Sequence, residues 1–145
     1  MKVVCSIEID KPAAGLADLM TDFTKSPSWM ADLSSCKMIS GQPGGVGSKA
    51  AMTFTNGKRV MTFTATLVAK DVPRMVRSEL ESSMLHIEAI ATFQALNQGK
   101  TLLKFEQNFT FKGFAKLAGY IMKSQIKNQQ QEHIAGFKRF AESLT

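Results

Sequence analysis

At 145 residues, 44% of them apolar and 21% charged, the chain suits one domain that buries about two thirds of its unfolded surface. The net charge of +6 invites a nucleic acid or an anionic membrane as partner, but Lys and Arg are scattered over strands and helix, which weakens both, and no RNP, KH or zinc-finger pattern is present, so no nucleic-acid binding is expected. Cys5 and Cys36 lack CxxC or Cys/His spacing, which excludes a disulfide framework and a zinc site; no metal and no cofactor are expected.

The start, MKVVCSIEID, alternates instead of forming a continuous apolar core, and no run approaches the roughly 18 apolar residues of a membrane span. The expectation is a cytoplasmic protein with no leader and no stable membrane insertion. That first segment, Met1 to Asp10, sets Val3, Cys5, Ile7 and Ile9 against Lys2, Ser6, Glu8 and Asp10, the pattern of a half-buried strand. Pro12 then presets a first helical turn, and Leu16, Leu19, Met20 and Phe23 continue at helical spacing to about Thr24. Lys25 to Ala31 reads as a turn with a short helical piece, and Leu33 to Ser40 as the second strand. GQPGGVG is a loop, because its Gly and Pro content breaks either regular structure. The following Ser48-Lys49 enters a strand, so GGVGSK is not a phosphate loop, which needs Gly-Lys-Ser/Thr opening a helix.

From Ser48 to Lys112 three turns allow a test of register. Asn56-Gly57, taken as a two-residue hairpin loop, sets Phe54 opposite Arg59, Met52 opposite Met61 and Ala50 opposite Phe63. The reverse side is Val60, Thr62, Thr64, Thr66 and Val68, a β-branched row suited to a solvated surface. A turn at Ser82-Ser83 sets Leu80 opposite Leu85, Ser78 opposite Ile87 and Val76 opposite Ala89, with Arg77 facing Glu88 and Glu79 paired with His86 outside. A three-residue loop, Asn97 to Gly99 with Gly99 left-handed, pairs Phe93 with Leu103, Ala91 with Phe105, Ile87 with Phe109 and Leu85 with Phe111. All three turns give one apolar face, which a one-residue slip would invert.

The chain closes with an amphipathic helix from about Phe114 to Leu144. Its seam passes Ala115, Gly119, Met122, Ile126, Gln129, His133, Phe137, Phe140 and Leu144, while Lys116, Lys123, Lys127 and Lys138 form a solvated face. A long helix and a wide sheet must each cover the apolar side of the other, so the class is α+β. Bulky side chains end the seam, whereas Ala115, Ala118 and Gly119 begin it, opposite Ala89 and Ala91 on the sheet. An unfilled apolar space is expected there.

The order of these features resembles the START-like, helix-grip superfamily (SRPBCC), of the bacterial polyketide cyclase/dehydrase and lipid-transport type, and is distantly similar to the Bet v 1 allergens. The resemblance spans residues 1–145 as a single domain. It rests on Ile9-Asp10-Lys11-Pro12 leading to a helix, Ser28-Trp29, GQPGGVGS, Pro73-Arg74 before strand five, Gly99-Lys100-Thr101, and His133 to Glu142 in the closing helix. It implies a seven-stranded antiparallel sheet wrapped around the long C-terminal helix, two short N-terminal helices and a ligand cavity between them. Activities within such a superfamily differ, so fold does not fix function.

The residues expected to line a ligand site are Trp29, Phe54, Arg59, Met61, Phe63, Ala91, Phe105, Gln107, Gly119, Met122 and Gln129. Gln107 lies between Phe105 and Phe109 and needs a polar partner, either Gln129 or a group on the ligand. Arg59 is expected to reach solvent at the rim. His86, Glu79 and Glu88 read as a surface network, and His133 as a buried histidine with a hydrogen-bond partner; no catalytic residue is assigned. The expected function is binding of a hydrophobic small molecule by a monomer or homodimer. The alternatives are a cyclase/dehydrase-type enzyme acting on a polyketide-like substrate and a protein-interaction module using the apolar start of the last helix, where Phe114, Leu117, Tyr120 and Ile121 could form a patch.

Overall fold

The computed structural model describes residues 1–117 and 122–144. Strands β1 (Lys2–Ile9), β2 (Leu33–Ser40), β3 (Lys49–Asn56), β4 (Arg59–Asp71), β5 (Met75–Glu81), β6 (Leu85–Ala95) and β7 (Thr101–Phe111) form one antiparallel sheet, ordered β1-β7-β6-β5-β4-β3-β2. Between β1 and β2 lie helix α1 (Leu16–Thr21) and a 3-10 helix (Phe23–Ser28); helix α2 (Lys123–Ser143) follows the sheet. β2 to β7 are each paired with their neighbour in sequence, and β1 closes back on β7.

The last hairpin has the expected register: Phe93 pairs with Leu103, Ala91 with Phe105, Ile87 with Phe109 and Leu85 with Phe111, with Gly99 at φ 77°. The other two hairpins are offset by two residues from the expected pairings. Gly57 and Lys58, not Asn56 and Gly57, form the loop, so Asn56 pairs with Arg59, Phe54 with Met61, Met52 with Phe63 and Ala50 with Ala65. Beyond Glu81 the turn is longer than two residues: the Ser82 amide donates to the Leu85 carbonyl, the Ser82 hydroxyl caps the turn, and Leu80 pairs with Ile87, Ser78 with Ala89 and Val76 with Ala91. An offset of two keeps every side chain on its expected face, because the strand period is two. Arg77 still reaches Glu88, 3.7 Å away, on the diagonal, but the partner of His86 is Glu81, which also binds Lys112.

The helices depart further from expectation. Pro12 does not open α1, which begins four residues later, after Gly15 turns the chain at φ 89°. The helical segment at 115–117 and helix α2 flank residues 118–121; Ala118, Gly119, Tyr120 and Ile121, expected within one continuous helix, lie outside the described residues. On α2 the buried stripe is Gln130, Ile134, Gly136, Phe137 and Ala141. The expected seam was therefore rotated: Gln129 and Leu144 are exposed, and Gln130, one step of about 100° away, points inward.

The C-terminal half of α2 packs in a filled core with Trp29, Ile9, Leu16, Phe93 and Leu103. The Trp29 and Phe137 rings meet edge-on, with centroids 5.2 Å apart. Gly136 permits this contact, since a Cβ at that position would lie 2.2 Å from the Trp29 carbonyl oxygen. In a helix interior, Gly to Ala ordinarily gains up to about 1 kcal/mol. Here the obstacle is backbone, so overpacking wins, and Gly136→Ala should lose about 2 kcal/mol or more, read as a lower urea midpoint with an unchanged slope.

Candidate functional site

Between the inner face of the sheet and the first half of α2 lies a cavity of about 500 Å³. Its walls are the inward row of β3 to β7, which alternation makes apolar: Met52 and Phe54, Phe63 and Leu67, Val76 and Leu80, Ile87 and Ala89, Phe105 and Phe109. Met20, Phe23 and Trp29, all buried, close it at the α1 end. At the other end the bordering residues Val60, Met61 and Met84 are exposed, which places the mouth between the β3-β4 and β5-β6 turns.

Of the residues expected at a ligand site, Trp29, Phe54, Arg59, Met61 and Phe63 border this cavity, as do Ala91, Phe105, Gln107, Met122 and Gln129. Gly119 lies outside the described residues. Phe54 and Phe63 meet edge-on at 5.8 Å, and Phe63 and Phe105 share the inner face. Arg59 is exposed at the mouth, where its Nη1 approaches the Met122 sulfur at 3.8 Å.

Two groups of polar contacts join α2 to the sheet side at the cavity, in addition to Lys138 Nζ donating to the Glu8 carbonyl of β1 at 2.8 Å and the Asp10 amide donating to Glu142 Oε2 at 2.7 Å near the far end of the helix. The first centres on the buried Gln130, whose Nε2 donates to the Val3 carbonyl at 3.0 Å and to the half-buried Gln107 Oε1 at 3.2 Å. Gln107 thus meets Gln130, not Gln129, because the helix stripe is rotated. The second is Asp32, just before β2, whose carboxylate accepts from His133 Nε2 at 2.7 Å and from Gln129 Nε2. Burial pushes the Asp32 carboxyl up, but the hydrogen bonds from His133 and Gln129 and the charge of a protonated His133 outweigh it and hold the group below its ordinary 3.8. An ionised Asp32 orients the His133 ring through its Nε2. The ring also lies against Phe54, with centroids 6.2 Å apart.

Asp32 and Gln130 were not singled out from the sequence. Neither sits in a motif, and 101 residues separate Asp32 from His133. A signal existed only for Gln130: a helical stripe through Ile126, Gln130, Ile134 and Phe137 is as regular as the one through Gln129 and His133. The two cysteines are not part of the cavity wall. Burial pushes the Cys5 thiol up to about 11, against the lowering effect of Lys127, and raises Cys36 as well, with Asp22 adding to it, so neither is a thiolate nucleophile near neutral pH.

The sheet order, the gripped helix and the enclosed space define the helix-grip architecture. The chain belongs to the family described as polyketide cyclase/dehydrase and lipid transport, whose model matches residues 1–142. No curated protein matches it in sequence. A START superfamily protein from Mycobacterium smegmatis shares the fold at TM-score 0.84 with 16% identity, covering 99% of each chain. The Zhui aromatase/cyclase from Streptomyces sp. R1128 superposes at 0.83 with 11% identity over 98% of this chain and 93% of its own. Norcoclaurine synthase from Thalictrum flavum, solved with dopamine and hydroxybenzaldehyde, superposes at 0.74 with 11% identity over 100% of this chain and 88% of its own. At these identities the likeness is one of fold.

The depressed carboxyl of Asp32 has a signed consequence. Its stabilising contribution is complete above the unfolded value and is lost as pH falls through the lower folded value. Asp32→Asn should therefore be less stable than the parent at pH 7, and the gap should shrink as pH is taken below about 4. Urea melts of both proteins from pH 7 to pH 3 check this.

Proposed function

We propose that the protein binds a hydrophobic small molecule in the cavity between the sheet and α2. The observation that carries this reading is the cavity itself: about 500 Å³ of space walled by Phe, Met, Leu and Ile side chains, beside a cluster of packed buried residues around the C-terminal half of α2. That volume falls within the range of small-molecule sites, where apolar walls supply affinity and a few polar groups set orientation. Polar groups bordering it include Arg59 at the mouth, the Gln107-Gln130 pair, and Gln129 and His133, both held by Asp32 from behind. A lipid, a polyketide or an aromatic compound has the matching chemistry.

A second reading, a cyclase/dehydrase-type enzyme, draws on one observation: a carboxylate-oriented imidazole, His133 on Asp32, in the wall of the cavity. Such a pair can hold and move a proton at a bound carbonyl or enol. Turnover of a polyketide-like substrate that is lost in His133→Ala, with binding retained, would select this reading.

Filling the space tests the first. Ala89 and Ser78 pair across β6 and β5 and both border the cavity. In a packed core, Ala89→Phe or Ser78→Leu would cost about 1–3 kcal/mol by overpacking. Over this cavity each should change stability by less than about 1 kcal/mol while weakening uptake of the neutral dye Nile red at least tenfold. Fluorescence titration beside thermal melts decides: marked destabilisation, with no dye uptake by the parent, would overturn the reading.

A further inference from the structure

Exposed apolar side chains gather around the mouth of the cavity. Phe114 is 98% exposed, Leu117 74%, Val60 63% and Met84 56%, and Met61 lies beside Val60. They come from three separate segments at one end of the molecule: the β3-β4 hairpin, the β5-β6 turn and the stretch after β7. Backbone and side-chain contacts bring these segments together. The Lys112 amide donates to the Met84 carbonyl, and Arg59 meets Met122. Exposing that much large apolar surface at one place marks a contact site for something that removes it from water.

The unpaired charges at the same end are of one sign among the described residues. No acidic residue occurs in the sequence between Asp32 and Asp71, or between Glu106 and Glu132, the two stretches that supply most of this surface. Lys58, Arg59, Lys116 and Lys123 are exposed there and have no acidic partner among the described residues. The nearby acids are already engaged, Glu81 by Lys112 and His86, and Asp32 by His133 and Gln129. The opposite end differs. Its exposed apolar residues Ile39, Val46, Val72 and Leu144 share it with Asp10, Asp18, Asp71 and Glu142.

Large apolar side chains ringed by unpaired cations are complementary to an anionic lipid surface: the apolar groups enter the headgroup boundary and each Lys or Arg near the surface adds roughly fivefold to affinity. No helix among the described residues is long and apolar enough to cross a membrane, so the contact is peripheral. We propose that this end docks on an anionic bilayer, with the cavity mouth pressed against it so that an apolar guest passes between lipid and cavity without crossing water. The passage step rests on the reading of the cavity as a binding site; the docking step rests on the surface alone.

Sedimentation with vesicles separates the two. The parent should bind vesicles of equal parts phosphatidylglycerol and phosphatidylcholine, bind pure phosphatidylcholine at least tenfold more weakly, and lose affinity as salt rises. Phe114→Asp with Leu117→Asp, or Lys116→Glu with Lys123→Glu, should each reduce partitioning at least tenfold. Because none of these four side chains borders the cavity, Nile red uptake without vesicles should be unchanged. Val72→Asp, at the opposite end, should leave sedimentation as in the parent. Docking is overturned if the parent ignores the anionic vesicles, if the end variants sediment like the parent, or if Val72→Asp is equally impaired. It is also overturned if the patch holds a second copy instead, seen as a dimer that Phe114→Asp with Leu117→Asp splits, with no vesicle binding. Ala89→Phe, which should block dye uptake, must still sediment; loss of dye uptake with docking intact assigns the two properties to different parts of one end.

Discussion

The arrangement depends on the approach of α2 to the Trp29 carbonyl at Gly136. A helix cannot come that near another backbone with a side chain in the way, so the glycine sets the distance between α2 and the segment before β2. From there the fully buried Phe137 seats against Trp29, and Ile134 and Ala141 complete a core shared with β1, α1 and β6. This half of the helix carries the packing. The other half borders open space, and the fold tolerates that because the filled half and the polar contacts hold the helix in place.

Those polar contacts come at intervals along α2. Gln130 takes up the Val3 carbonyl of the edge strand β1 and the side chain of Gln107 on β7, while Gln129 and His133 grip Asp32 at the start of β2. β1 and β2 are the two edges of the sheet. The helix is thus tied to both edges with apolar space between, an economical way to keep a cavity from collapsing. A buried amide at Gln130 costs desolvation; its Nε2 meets the Val3 carbonyl and Gln107 Oε1, which offsets part of that cost, while its Oε1 has no partner among the described residues.

Much of this was legible in the sequence, for a physical reason. Alternation along the strands fixes which side chains face inward, and two hairpins whose pairings are offset by two residues from expectation still put Met52, Phe63 and Ile87 on the inner face. The turn at Asn97–Gly99 was legible to the residue, because Gly99 alone supplies the left-handed position. The helix was less readable. Between Met122 and Phe137 the apolar residues are sparse, so two stripes one residue apart fit equally well, and only packing against Val3 and Gln107 selects the one through Gln130. Nothing in the sequence around Gly136 announces a carbonyl brought by a distant segment. The Asp32-His133 pair was hidden for the same reason.

The composition of the cavity wall has one more consequence. Of nine methionines in the chain, Met20, Met30, Met52, Met61, Met84 and Met122 border the space. Thioethers bend to fit guests of varied shape, but they are also the side chains an oxidant converts to sulfoxides, polar and no longer suited to an apolar wall. Met61 and Met84 are exposed at the mouth and meet a peroxide first. Oxidative damage would therefore write itself into this protein as a gradual wetting of its interior from the entrance inward, reversible by reductases that restore the sulfur.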